Sequence, residues 1–299
     1  MSKKFNDIYI YGEILFDCFE NGDDKLGGAS FNVAWNLKGF GLNPKMVSSI
    51  SNDELGKKVL NRMINWNMDI SYINIIPDKK TGKVNVKLND EGIPTYTFEE
   101  DCAYDYIDVP KDITENSLVY HGSFALRNKY NQKNCILFKN KLNSNSFVDV
   151  NLREPWWDNS LLQTILTDLK WLKMNDEELP FICSLLGLNS IDEDEQIEFV
   201  LEKLNLELLV LTKGAEGAVL LDKNKSKVSS SVVKIDKIAD TVGAGDAFVS
   251  VVILGLYNSW DNVTILKRAV SFASKVCGLN GAIIEDKNFY NNFLKEWNI

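Results

Sequence analysis

The stretch Asp240-Thr241-Val242-Gly243-Ala244-Gly245-Asp246 constrains this chain more than any other part of its 299 residues. Two glycines and an alanine stand directly before an aspartate. The apolar run Ala247-Phe248-Val249-Ser250-Val251-Val252-Ile253-Leu254 follows at once and reads as a buried helix. A small-residue turn that opens a helix leaves backbone N–H groups without intrahelical partners. With the positive end of the helix dipole, those donors make an anion site. A carboxylate at the mouth of such a site repels a bound phosphate, and is tolerable if its task is to take a proton from an arriving nucleophile. Donors plus a base are what phosphoryl transfer to an alcohol needs. The same turn also suits a plain strand-to-helix connection, with Asp246 as a first-turn residue favouring the dipole.

The length suits one large α/β domain or two small ones, and 45% apolar residues allow a sizeable core. Basic residues number 33 against 42 acidic, a net charge of −9. That excess argues against a nucleic-acid groove, which needs a positive field. Backbone amides can still bind phosphate. No run reaches the 18 apolar residues of a membrane span, and Met1-Ser2-Lys3-Lys4 leads into no signal-like segment. The five cysteines form no CxxC pair, so free thiols in a reducing cytoplasm are expected. The single histidine, His121, excludes a His-rich metal site. No G-x-S-x-G elbow exists to make it a hydrolase base, so it reads as a structural residue at a strand end.

Extended and helical patterns alternate for most of the length, which predicts βαβ units and a mostly parallel sheet. Residues 7–13 and 44–50 read as strands; 30–38 and 53–66 read as helices. The second helix has Leu55, Val59, Leu60, Met63 and Ile64 on its apolar face. Residues 81–88 and 95–99 then alternate around an Asn89-Asp90-Glu91-Gly92 turn, predicting a hairpin. It is either a lid over a site or an antiparallel edge of the main sheet. Further strands are expected at 118–122, 147–150, 171–174 and 208–212, and a second hairpin at 218–221 and 228–233. Two long helices, 244–256 and 262–278, are expected to close the chain. The acidic cluster 192–195 reads as the start of a solvated helix.

No Walker-type loop is present, and Gly243-Ala244-Gly245 is not a Rossmann fingerprint. Four segments instead resemble the ribokinase/PfkB family of carbohydrate kinases. They are Asp240–Asp246; Gly27-Gly28-Ala29-Ser30-Phe31-Asn32-Val33-Ala34; Asn175-Asp176-Glu177-Glu178, an N-x-x-E motif; and Leu211-Thr212-Lys213-Gly214-Ala215-Glu216-Gly217-Ala218. They stand in the family's order. The resemblance implies a ribokinase-like three-layer α/β/α fold. A single domain would cover 1–299, with a β-lid from about 14–26 and 80–107.

The resemblance also implies roles. Asp246 would be the base, and the N–H groups of Gly243, Ala244 and Gly245 would stabilise the transferring phosphoryl. Asp17, Gly27, Gly28 and Asn32 would bind sugar hydroxyls. Asn175, Thr212, Gly214, Gly217, Gly243 and Gly245 would face ATP. Glu178 would hold Mg²⁺ through water, and Asp240 would be placed to hold a monovalent cation such as K⁺. Asn175–Glu178 also fits a helix cap with an N3 glutamate, and both readings can hold together. A homodimer through the lid is the assembly that relatives suggest.

Asp149-Val150-Asn151-Leu152-Arg153 is similar to a segment shared by fructokinases and 2-keto-3-deoxygluconate kinases. Arg153 is expected to meet a phosphate or an acidic substrate, or to form a structural ion pair. The lid candidate Tyr96-Thr97-Phe98-Glu99-Glu100 carries two glutamates that would repel a substrate carboxylate. A neutral sugar, fructose first, is therefore the expected acceptor. 2-Keto-3-deoxygluconate kinase, ribokinase and nucleoside kinase are alternatives, as is a silent sugar-binding protein on the same fold.

Overall fold

The computed structural model describes residues 4–19, 22, 24–88, 94–143, 145–232 and 239–299. The chain begins with β1 (Ile8–Tyr11), β2 (Leu15–Phe19), β3 (Asp24–Gly27) and α1 (Ala29–Gly39). It continues with β4 (Lys45–Ile50), α2 (Glu54–Asn65), β5 (Ile73–Ile75), β6 (Gly82–Leu88) and β7 (Pro94–Phe98). Then come β8 (Leu118–His121), α3 (Lys129–Lys141), β9 (Ser146–Asp149), α4 (Asn159–Ile165) and β10 (Trp171–Asn175). They are followed by α5 (Leu179–Leu186), α6 (Glu193–Lys203), β11 (Leu208–Thr212), β12 (Ala218–Asp222) and β13 (Lys227–Ser230). The helices α7 (Ala244–Tyr257), α8 (Asn262–Val276) and α9 (Lys287–Trp297) close it.

The main sheet runs β13-β12-β11-β10-β9-β8-β1-β4-β5 and is parallel from β11 to β5. β12 and β13 add an antiparallel edge. Alternate strand residues feed opposite faces. Ile8 and Ile10 join one core with α1, α7 and α8, whereas Tyr9 and Tyr11 join the other with α3 and α6. That division is the three-layer α/β/α arrangement. The strand order reverses at β1, between β4 and β8, and such a switch point opens a crevice at the strands' carboxyl ends.

Residues 82–88 and 94–98 do form a hairpin, but not an edge of the main sheet. They pair through β6 with β2 in a separate four-stranded sheet ordered β3-β2-β6-β7. The expected turn at 89–92 and the tail of the second hairpin at 233 lie outside the described residues. Two expectations need correction. Ile64 is 52% exposed, because it lies one residue, or 100° of helix, past the buried Val59–Met63 stripe. A third terminal helix, α9, follows the two expected ones. Asp286 caps it, and Tyr290, Phe293 and Trp297 bury at helical spacing.

Candidate active site

A cavity of about 820 Å³ lies between the carboxyl ends of the parallel strands and the small sheet. Nine of the expected site residues line it: Asp17, Gly27, Gly28, Asn32, Arg153, Asp240, Gly243, Gly245 and Asp246. Two helix N-termini meet there. α1 starts at Gly28, whose φ of 103° is open to glycine alone among common residues, and a Cβ at Gly28 would stand 2.9 Å from the Glu13 carbonyl oxygen. α7 starts at Gly243, with φ 78°. A Cβ there would come within 2.3 Å of the Ala282 Cβ, so glycine lets the turn pack against the 281–282 loop.

The N–H groups of Gly243, Gly245 and Asp246 meet no acceptor among the described residues. One expected donor differs: Ala244 N–H reaches the Thr241 carbonyl at 3.2 Å. The open set is therefore Gly243, Gly245 and Asp246, the last taking the place expected of Ala244. Asp246 is buried, and its Oδ2 accepts a 2.8 Å hydrogen bond from Asn32 Nδ2. Burial pushes its carboxyl up to about 7; Asp149 adds to this, while Asn32, Lys173 and Arg153 pull it down. A carboxylate tuned to neutral pH at an anion site fits a general base.

Asp17, on β2, is held up to about 6 by burial, with Lys25 opposing and Asp240 assisting. The Asp240 carboxylate accepts from Val242 N–H at 2.9 Å and Gly281 N–H at 3.2 Å, joining the two loops beside α7. Each oxygen keeps a lone pair for a cation. Arg153 is exposed; among the described residues the one hydrogen bond of its guanidinium is to the neighbouring Leu152 carbonyl.

Asn175, Glu178, Thr212, Gly214 and Gly217 lie outside this lining, at the ends of β10 and β11 and the turns after them. Asn175 pairs in register with Thr212. Glu178 and Asn175 form a reciprocal cap at 2.8 Å in each direction, and the other Glu178 oxygen accepts Leu152 N–H at 2.8 Å. Both carboxylate oxygens are thus committed once, which fits a metal held through water rather than bound directly. Gly217 has a local reason: its φ is 102°, and a Cβ would collide with the Ser230 carbonyl oxygen at 2.0 Å.

The expectation that Glu99 or Glu100 faces the sugar is overturned. Neither lines the cavity; Thr95 and Phe98 do. β7 ends at Phe98, after which Glu99 N–H bonds to the Lys83 carbonyl and its carbonyl accepts from Arg127 Nη2. Glu100 turns into a separate cleft with Arg127 and Trp156. The acidity of the site comes from elsewhere. Among the described residues, Glu13, Asp17, Asp149, Glu154, Asp240 and Asp246 line the cavity against Lys25, Arg153 and Lys173, six carboxylates to three cations.

Glu13, Asp149 and Lys173 line the cavity as well, and the sequence gives none of them a site role. Glu13 is buried after β1 and accepts from Ser30 N–H at 3.1 Å and Ser30 Oγ at 3.2 Å, fixing the start of α1. Asp149 and Lys173 form a buried ion pair at 2.9 Å. The visible signal was a lysine inside the apolar strand Trp171-Leu172-Lys173-Met174, since buried lysines need a partner. His121 is buried at the end of β8, where burial pushes its imidazole down to about 3, so it stays neutral.

A three-layer α/β/α fold with an open helix N-terminus and a buried carboxyl beside it suits a phosphotransferase with an alcohol acceptor. The family model described as pfkB family carbohydrate kinase matches residues 19–288, and the chain belongs to that family. It is 27% identical over 308 residues to an ATP-dependent 6-phosphofructokinase of Thermoanaerobacterium thermosaccharolyticum, covering 95% of this chain and 91% of that one. It is 26% identical over 288 residues to a fructokinase of Salmonella typhimurium, covering 91% of each. Among solved structures, a double mutant of the fructokinase of Vibrio cholerae bound to fructose, ADP and potassium ion aligns with a TM-score of 0.79 at 23% identity, over 98% of this chain and 100% of that one. Aminoimidazole riboside kinase of Salmonella enterica aligns with a TM-score of 0.78 at 21% identity, over 97% and 100%. No described helix is long and apolar enough to cross a membrane.

Proposed function

We propose that the protein transfers the γ-phosphoryl of ATP to a hydroxyl of a neutral sugar, with fructose first among candidates. The observation that carries this reading is Asp246: a buried carboxyl raised to about 7 at the open N-terminus of α7. The sugar hydroxyl gives its proton to Asp246 as its oxygen attacks the γ-phosphorus and ADP leaves. The N–H groups of Gly243, Gly245 and Asp246 stabilise charge on the phosphoryl oxygens. Asp17, Asn32 and the Gly27–Gly28 turn hold the other hydroxyls, because carboxylate and amide groups match a polyol's donors and acceptors. Asn175, Thr212 and Gly214 face the nucleotide. Glu178 would hold Mg²⁺ through water, an ion that would neutralise phosphate charge. Asp240 is the candidate holder of K⁺.

The surplus of carboxylates around the cavity supports a neutral acceptor over an acidic one. The small sheet, within one domain spanning 1–299, is read as a lid, and a dimer through it is the assembly to test. A second reading, a ribonucleoside acceptor, is supported by the apolar wall of Leu15, Phe19, Leu26, Val84, Phe98 and Phe124.

The test is coupled ATP consumption over fructose, ribose, 2-keto-3-deoxygluconate, a ribonucleoside and fructose 6-phosphate, with and without Mg²⁺. The highest kcat/KM is expected for fructose. A higher value for the nucleoside moves the assignment to the second reading. No ADP formation with any acceptor would leave a silent binding protein.

A further inference from the structure

Lys173 sits where a buried cation needs a reason. It occupies β10 in the interior of the sheet, its side chain is 7% exposed, and its Nζ lies 2.9 Å from Oδ1 of Asp149, itself 1% exposed. An ion pair sealed this deeply adds little to stability compared with apolar residues of the same size. Packing alone therefore does not account for it. An ammonium has three donor protons, and Asp149 is its one ion-pair partner among the described residues. The remaining donors have a direction. A Cβ placed on Gly245 would stand 3.8 Å from Lys173 Nζ, the one heavy atom within 4 Å of it among the described residues beyond its chain neighbours and its own helix backbone. The ammonium thus faces the first turn of α7, beside the open N–H groups of Gly243, Gly245 and Asp246.

We infer that Lys173 is a catalytic residue of the transfer, its ammonium binding the transferring phosphoryl from the side opposite the α7 backbone donors, with Asp149 as the positioning residue that aims it. The inference rests on the kinase reading above. As the sugar oxygen–phosphorus bond forms and the bond to ADP breaks, the hydroxyl proton goes to Asp246. Lys173 keeps its own protons and meets the negative charge spread over the phosphoryl oxygens. Burial alone would pull the lysine down, but Asp149 and Glu178 outweigh it and hold it above the ordinary lysine range, so the ammonium persists at any working pH.

Lys173→Met alone strands Asp149 and can unfold the protein. The double variant Lys173→Met/Asp149→Leu removes both charges and is the decisive one, measured beside the wild type and Asp246→Asn. kcat is expected to fall by about 10²–10³-fold, the scale of losing one donor to a developing charge. ATP affinity is expected to weaken by about tenfold, the scale of a charge-assisted hydrogen bond, while ADP and sugar affinities hold. A folded double variant with kcat within about threefold of wild type, against the expected 10²–10³, would reduce the pair to packing and overturn the inference. If it does not fold, Lys173→Gln, whose amide can still donate to Asp149, is read by the same outcomes. Wild type that phosphorylates a sugar, with Asp246→Asn inactive, keeps the kinase reading whatever Lys173 does. Wild type inactive on every acceptor ends both the kinase reading and the role of Lys173 in the transfer. Equal losses for the two nucleotides would overturn the inference.

Discussion

Asn32 and Asp246 are 214 residues apart in sequence, and a 2.8 Å hydrogen bond from Asn32 Nδ2 to Asp246 Oδ2 joins the first turns of α1 and α7. Two distant motifs thereby become one site. The bond favours the ionised form of a carboxyl that burial would otherwise keep protonated. It also sets which Asp246 oxygen stays free. Oδ2 carries the Asn32 bond, so in the proposed mechanism Oδ1 is the atom offered to a hydroxyl.

Asn32→Ala should therefore raise the Asp246 pKa further. A base must be ionised to act, so the rising limb of log kcat/KM for the sugar should centre near pH 7 in the wild type, following the value of about 7. A hydrogen bond to a charged group contributes roughly 1.5–3 kcal/mol, and one pKa unit is about 1.4 kcal/mol. The limb should shift upward by about one unit or more in the variant. A pH profile that is flat through neutrality in the wild type would remove Asp246 from the base role.

Asp246→Asn should lower kcat by about 10²–10⁴-fold with little change in the KM for ATP. It should also stabilise the fold. The folded carboxyl is raised from 3.8 to about 7, so it binds its proton more tightly folded than unfolded. Its contribution favours folding below about pH 4 and is lost as pH rises towards 7. Asparagine lacks that loss, so the Tm gain should be larger at about pH 8 than at about pH 5. Thermal melts at both pH values check this, and an equal or negative change at the higher pH contradicts it.

Gly243 and Gly245 should fail differently. Gly243→Ala forces a side chain into a left-handed φ of 78° and against Ala282, so Tm and activity should fall together. A strained residue of this kind costs about 1–3 kcal/mol before the clash is counted. At Gly245 a Cβ meets nothing nearer than Lys173 Nζ at 3.8 Å. Gly245→Val should keep its Tm but lose turnover, because the branched side chain occupies the approach of phosphate to the backbone. Parallel losses of Tm in both variants would mean that Gly245 serves packing and not an anion.

The outline of this site was legible because its motifs are local. Gly28, Asn32, Gly243 and Asp246 sit at helix starts, where glycine and a short polar side chain leave a recognisable signature. The layers were legible from strands such as Ile8–Tyr11, whose alternate residues feed two cores. Lys173 was not, since its partner Asp149 belongs to a different strand and only sheet order brings the two together. Strands β2 and β3 carry no clear alternation, so the small sheet's first half came from family resemblance rather than pattern. Glu99 and Glu100 were misread because alternation was extended past Phe98, where the chain leaves the strand.

The choice of acceptor consequently rests on the cavity as a whole. Fructose should be phosphorylated with a higher kcat/KM than 2-keto-3-deoxygluconate. Among the described residues, six lining carboxylates against three cations leave a negative field where the acceptor is proposed to bind. A like-charge contact near 4 Å is unfavourable by about 1 kcal/mol in water and about 4 kcal/mol at a typical protein dielectric. One such contact suffices for a preference of about tenfold, since ~1.4 kcal/mol is one decade. Arg153 opposes this if it swings from Leu152 to the substrate. Asp17 supplies a check that Arg153 does not. Its carboxyl is held near 6, so acidification through that value removes one negative charge from the wall. The keto acid should then gain on fructose as the pH falls from about 7 to about 5.5; Asp246, held near 7, contributes to that gain, so Asp17→Asn should weaken it. Glu99→Gln and Glu100→Gln, both outside the cavity, should leave the ratio unchanged. Side-by-side kinetics on the two acceptors decide the matter: a wild type that turns over the keto acid as well as fructose at neutral pH would sink the neutral-sugar assignment, and a ratio moved by Glu99→Gln would return the discrimination to the lid.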